Sequence, residues 1–179
     1  MKLFLFLISL AVSCLSFASD KSAAQKTIEV FDGTCIRNYN DFEGIKYLLE
    51  ATGAKKIPDE VLKFDPAMRK LGGDGYVYQY ENENYMIGYS QGISCGIATD
   101  NFDGSRTIEL IKNNFKVKKV YEDDSGVQVT HIFMLSDNNP YSGAIIAVTY
   151  AKESTGLKVG SLGLITADAV EGLNKQNRS

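Results

Sequence analysis

The sequence predicts an α+β domain: N-terminal helices packed on an antiparallel sheet of about seven strands, interrupted by one helix in the order βββ-α-ββββ. Three observations carry this reading. Helical spacing of apolar residues dominates before the break Gly72-Gly73-Asp74-Gly75. Period-two alternation dominates after it. Nearly every link between the alternating runs is too short for the crossover that a parallel pair needs. No repeat, linker or low-complexity run divides the chain, so residues 19–170 form a single domain and residues 171–179 a polar C-terminal tail.

The elements follow in order. Ala24, Ile28, Phe31 and Cys35 recur at spacings of four, three and four, which puts them on one face of a helix over Ala23–Arg37. Gly33 weakens that helix by about 1 kcal/mol relative to Ala, and Asn38 can end it. Asn40 caps a second helix, with Glu43 three residues on completing a capping box. Its inner stripe is Phe42, Ile45, Leu48, Leu49 and Thr52, and Gly53 sits where a left-handed terminus belongs. Pro58 and Pro66 occupy first-turn positions of two short helical pieces, and Asp65 caps the second.

Tyr76–Glu81, Asn84–Ser90 and Gly92–Thr99 then alternate as three strands, with turns at Asn82-Glu83 and Gln91-Gly92. Asp103 or Ser105 caps the interrupting helix, in which Ile108, Ile111 and Phe115 share a face. Lys116–Glu122, the turn Asp123–Gly126 and Val127–Leu135 follow, and Val127, Val129, His131, Phe133 and Leu135 point one way. Ala144–Ala151 is apolar enough to be central. Ser161–Ala167 closes the sheet.

The first segment is an address. Met1–Ala18 has a Lys2 start, an apolar run from Leu3 to Val12, and small residues at Ser16 and Ala18, the pattern of a secretory signal peptide cleaved after Ala18. The run is too short to span about 30 Å of hydrocarbon at 1.5 Å per residue. Ala11-Val12-Ser13-Cys14 resembles a lipobox but lacks the large aliphatic residue three positions before Cys14, which disfavours lipoprotein processing. No later run is long enough for a transmembrane segment. The protein is expected to be exported, to the periplasm or onward from a Gram-negative cell.

Composition removes whole classes of function. The 179 residues are 44% hydrophobic, too apolar for a disordered chain. A net charge of −3 disfavours a dedicated nucleic-acid binder, and loss of the signal, with one Lys and no acid, takes it to −4. The single His excludes a multi-histidine metal site. Cys14 leaves with the signal, so Cys35 and Cys95 remain as an even pair in an oxidising compartment and are expected to form a disulfide. The competing reading is a catalytic thiol with His131 as its base. It is weaker, because a sulfur bonded to another sulfur cannot attack.

The candidate chemistry is sparse. His131 is the only group titrating near neutrality, and its apolar neighbours by period two make it a half-buried structural histidine. Asp100-Asn101-Phe102-Asp103-Gly104 lacks the alternating ligands and distal Glu of a calcium loop, so no metal is expected. The Gly-rich break beginning at Leu71 precedes a strand rather than a helix, so it is no phosphate cradle, and no cofactor motif occurs. The most informative feature is aromatic. With Asn82-Glu83 as the turn, Tyr80 opposes Tyr85, Tyr78 opposes Ile87 and Tyr76 opposes Tyr89, all on one sheet face. That face is either the floor beneath the helices or an exposed platform for a carbohydrate, peptide or protein partner. The opposite parity (Val77, Gln79, Glu81, Met86, Gly88, Ser90) is the more polar side, which favours the floor.

Phe31-x-x-Thr34-Cys35 in a helix, a Gly-rich break before a hairpin, and Cys95-Gly96-Ile97-Ala98 running into Asp100 and a helix ending Asn114-Phe115 together resemble a family of small exported proteobacterial proteins of uncharacterised function. The resemblance covers Ala24 to Phe115. Tyr76 departs from it at a position where Trp is common. It implies export and a Cys35–Cys95 bridge, and no reaction.

The leading expectation is therefore a non-enzymatic exported binding domain, docking its ligand on Tyr76, Tyr78, Tyr80, Tyr85 and Tyr89. Two others stand beside it. One is a small secreted hydrolase using His131 or carboxylates such as Asp74, Asp100 and Asp103. The other is an inhibitor or chaperone-like partner of another exported protein, inserting the loop Ser136–Ser142.

Overall fold

A computed structural model describes residues 21–63 and 72–176. The segment expected to be a signal peptide, with Cys14, the helical piece expected at Asp65-Pro66 and the last three residues of the tail lie outside the described residues.

The helical layer starts with α1, Ala23–Phe31, whose N-terminus is a complete capping box between Ser22 and Gln25. The helix expected over Ala23–Arg37 is continuous, but its last turn, Asp32–Ile36, widens to a π-helix. The Asn38 amide donates to the carbonyls of Gly33 and Thr34, both at 2.9 Å, and so ends the segment as expected. α2 spans Phe42–Ala51. Its cap is Asp41, which accepts from the Gly44 N–H at 2.9 Å, and not Asn40, whose φ of 62° places it in the left-handed region. Phe42, Ile45 and Leu49 are buried and Gly53 has a φ of 77°, as the sequence predicts. Thr52 faces out and turns its hydroxyl back to the carbonyls of Leu48 and Leu49. A short α3 covers Asp59–Leu62.

The sheet has eight strands, all antiparallel, not the predicted seven. The addition is a two-residue edge strand, β1, Lys55–Lys56, which sequence alternation cannot register. β2 (Asp74–Tyr80), β3 (Glu83–Ser90) and β4 (Ser94–Thr99) follow. The α4 helix, Gly104–Asn114, capped by the Asp103 carboxylate on the Arg106 N–H, then carries the chain to the far edge. From there β5 (Val117–Asp123), β6 (Gln128–Leu135), β7 (Ile145–Ala151) and β8 (Gly160–Ile165) return as a meander. The order across the sheet is β1-β2-β3-β4-β8-β7-β6-β5. The last strand therefore seals the middle of the sheet, where it joins both halves.

The hairpin register differs from expectation. Glu81 and Asn82, with φ of 44° and 64°, make the two-residue turn, so Tyr80 pairs with Glu83, Tyr78 with Tyr85 and Tyr76 with Ile87. Two consecutive left-handed residues match the right-handed twist of the flanking strands, which outweighs the strain of Glu81 there. The slip is two residues, an even number, so every side chain keeps its predicted face.

A fifth helix, α5, Ala167–Gln176, continues through most of the segment expected to be a polar tail. Its start is fixed by tertiary contacts. The Thr166 hydroxyl accepts from the Ala169 N–H and donates to the Gly92 carbonyl, and the Tyr39 hydroxyl accepts from the Ala167 N–H at 2.9 Å.

Helices α1, α2 and α4 cover one sheet face. Phe31, Ile45, Tyr85, Ile87, Phe133, Ile146 and Leu162 are sealed between the layers, each such side chain contributing about 1.5–3 kcal/mol. Cys35, on the π-helical turn, is bonded to Cys95 near the start of β4, with the Cα atoms 5.4 Å apart. The expected disulfide thus ties the helical layer to the sheet.

Candidate functional site

The tyrosine face divides in two. Tyr76, Tyr85 and Tyr89 are 1%, 0% and 6% exposed and belong to the core. Their rings pack among the helices and their hydroxyls reach carboxylates at the margin: Tyr85 donates to Glu83 at 3.1 Å, and Tyr76 and Tyr89 point to Glu50 and Asp74 at 3.4 Å. Burial pushes all three phenols above their ordinary value, so they stay neutral donors. Tyr78 and Tyr80, nearer the hairpin tip, are only partly covered. Their rings stack with centroids 6.3 Å apart.

Tyr78 and Tyr80 floor a groove of about 590 Å³ between α1 and α2. Val30 and Gly33 form the α1 wall, and Tyr47 and Leu48 the α2 wall. Tyr47 is 76% exposed, the largest apolar surface that α2 turns outward. Gly33 keeps the α1 side open: a methyl group added there would meet no atom within 4 Å.

The rim charges are engaged with one another. Lys21 donates to Glu29 at 2.6 Å, to Glu81 at 2.9 Å and to the Tyr80 hydroxyl at 3.0 Å, and Tyr80 in turn donates to Glu29 at 2.7 Å. Hydrogen bonding to Lys21 holds the Glu29 carboxyl below its usual range, and hydrogen bonding to Glu29 raises the Tyr80 phenol. Farther along the same helical wall, Arg37 pairs with Asp32 at 2.9 Å. The site therefore presents aromatic and aliphatic surface inside a frame of satisfied ion pairs.

The other sequence candidates do not converge. His131 is 8% exposed and lies between the rings of Phe133 and Tyr150, with centroids 6.2 and 6.1 Å away. Its Nδ1 has no hydrogen-bond partner, and Glu122 is 3.7 Å off, beyond hydrogen-bond reach. Burial lowers its pKa, so the ring is neutral at pH 7. Asp74 pairs with Lys56 at 2.5 Å, and Asp103 is committed to capping α4. Asp100 is exposed in the turn after β4. Among the described residues, no three His, Cys, Asp or Glu side chains gather as a metal-ligand set. The loop Ser136–Ser142 is tied down: Tyr141 stacks on Tyr39 with centroids 4.5 Å apart, and the Asn139 side chain accepts from the Tyr141 N–H.

Sequence reasoning found Tyr78 and Tyr80 but not the helical walls. The available signal was Tyr47, an aromatic residue on the face of α2 opposite the Ile45/Leu49 stripe. None of the described helices is long and apolar enough to cross a membrane. No known family model, curated protein or solved structure matches the chain.

Proposed function

We propose that this is an exported, non-enzymatic binding domain whose α1–α2 groove takes an apolar or aromatic segment of a partner polypeptide. The observation that carries the reading is the pair Tyr78 and Tyr80, left partly open under a groove while three neighbours on the same face are buried. Tyrosine supplies large, rigid contact area with a polar tip at low entropic cost, which suits recognition. Each rim charge is held in an ion pair, and the surface between them is aromatic and aliphatic, so the complementary chemistry is apolar. The volume suits a few side chains of an extended or helical segment.

Export belongs to the same reading. The Met1–Ala18 pattern and the intramolecular disulfide both fit an oxidising compartment. The resemblance to small exported proteobacterial proteins supports it in the same way. The engagement of Asp74, Asp103 and His131 in structural roles favours binding over hydrolysis.

A photo-crosslinking residue placed at Tyr47, with a control at exposed Leu157, tests the proposal in the producing organism. The expected result is a peptide adduct from position 47 that is lost when Gly33→Leu fills the groove. Adducts equal at both positions, or unaffected by Gly33→Leu, would exclude the groove, and a glycan adduct at 47 would replace the peptide with a carbohydrate.

A further inference from the structure

One wall of the α1–α2 groove is built around the disulfide. Gly33, Thr34, Arg37 and Asn38 line the groove beyond Val30. Gly33 and Thr34 belong to the π-helical turn Asp32–Ile36, and Arg37 and Asn38 follow it directly. Cys35 lies between the two pairs and is bonded to Cys95 of β4. The residues that face the groove and the residue tied to the sheet are therefore neighbours in one turn.

That turn is weakly held by its own bonds. A π-helical turn is a rare arrangement, and Gly33 within it adds backbone freedom that folding must remove. The Thr34 hydroxyl donates to the Val30 carbonyl at 2.7 Å, and the Asn38 amide holds the carbonyls of Gly33 and Thr34. Among the described residues, every hydrogen bond made by residues 32–38 stays within residues 28–41, so none reaches the sheet. The turn meets the sheet through the Cys35–Cys95 bond and the buried side chains around it.

We infer that oxidation of this cysteine pair completes the groove: the dithiol chain has an open α1-side wall and does not retain an apolar segment, whereas the disulfide-bonded chain does. The inference rests on the reading of the groove as the binding site and adds what regulates it. A segment with few ties to the core opens by itself when its main tie is lost, ahead of the rest of the domain. The floor and the other wall have independent support. Tyr78 is held by strand pairing to Tyr85, and α2 by the buried stripe Phe42, Ile45 and Leu49.

The step is a thiol–disulfide exchange. Each thiol gives up its proton, the Sγ–Sγ bond forms, and two electrons pass to a disulfide co-reactant. The S–S bond of that co-reactant breaks, and it leaves as two thiols carrying the protons. Such an oxidant acts outside reducing compartments. The finished bond is covered, with Cys35 and Cys95 1% and 3% exposed, so a thiol reductant has no access to it in the folded domain. The groove is thus set once, as the chain folds in an oxidising compartment, and the chain is kept from binding before then.

Native-state hydrogen exchange tests this directly. Cys35→Ala with Cys95→Ala is compared with Gly160→Ala, which keeps the disulfide and crowds Phe102 outside the groove. Urea brings the two variants to equal unfolding free energy. Amides 33–38 are expected to exchange at least about tenfold faster in the double-alanine chain, with those of α2 and β3 alike in both. Cys95→Val, with Cys35 left as a free thiol, serves should the double-alanine chain fail to fold. Uptake of the neutral apolar dye Nile red reads the groove itself. Loss of the bond is expected to weaken it at least about tenfold, as Gly33→Leu does, and Gly160→Ala to leave it unchanged. Equal exchange of amides 33–38 at matched stability, or dye uptake lost in Gly33→Leu but indifferent to the cysteines, overturns the inference. No uptake by the oxidised wild type overturns the groove reading instead, and the exchange comparison then decides the wall.

Discussion

Cys35 and Cys95 join the one irregular turn of the helical layer to the centre of the sheet. Cys35 lies on the π-helical turn Asp32–Ile36, and Cys95 sits in β4 opposite Leu164 of β8, the pairing on which both halves of the sheet meet. The bond anchors the α1 side of the groove to the strand nearest the structural middle.

Reduction should therefore loosen the whole domain. Cys35→Ser with Cys95→Ser is expected to lower the unfolding free energy by about 2–5 kcal/mol, as loss of a disulfide closing a long loop does. Chemical denaturation of oxidised and double-serine protein gives the difference. An unchanged midpoint would remove the staple from the account of stability.

The pH dependence of stability should show His131. Burial is the largest cause of its lowered pKa; nearby Lys119 and Lys112 lower it further and Glu122 opposes them. The unfolded chain thus binds the proton first as pH falls. The stability contributed by the neutral ring is complete above the ordinary value of 6.5 and is lost as pH drops through the lower folded value. Melting temperatures measured from pH 8 to pH 5 should decline in the wild type, and the decline should be shallower in His131→Leu.

Two glycines of β8 should respond oppositely to the same substitution. A methyl on Gly160 would enter the ring of Phe102, whereas one on Gly163 meets nothing within 4 Å. Gly160→Ala is expected to cost about 1–3 kcal/mol through overpacking. Gly163→Ala is expected to be neutral or to stabilise by up to about 1 kcal/mol, by restricting the unfolded chain. Thermal unfolding of both variants checks the pair.

The tyrosines should separate by function. Tyr85→Ala is expected to cost about 3–5 kcal/mol, as an emptied aromatic core site does. Tyr47→Ala, on an exposed helical face, should stay within about 0.5 kcal/mol of wild type. Equal destabilisation by both would place Tyr47 in the core rather than at a binding wall.

Much of this architecture was legible in the residues. The inward stripe Phe42, Ile45 and Leu49 is set by helical spacing, and the common face of Tyr76, Tyr85 and Tyr89 by strand alternation. Both are local periodicities that tertiary packing exploits rather than overrides. Three things were not legible. Thr166 and Asp168 do form a helix start, but the strand pattern running to Ala167 and the polar residues after Glu171 hid α5, whose first turn is held by Tyr39 from far along the chain. The two-residue β1 is too short to alternate. The groove needs α1 and α2 to meet over Tyr78 and Tyr80, and no linear pattern records that meeting.

The sequence by itself determined most of the helices and strands, which face of each is apolar, and the pairing of Cys35 with Cys95. All three depend on residue type and spacing along the chain. The tertiary structure decided which tyrosines are covered and which are partly open, that the last strand lies at the centre of the sheet, and that glycines scattered across four strands line up in one row. Those depend on strand order and register, and register is set by the sum of many long-range contacts that no single segment contains.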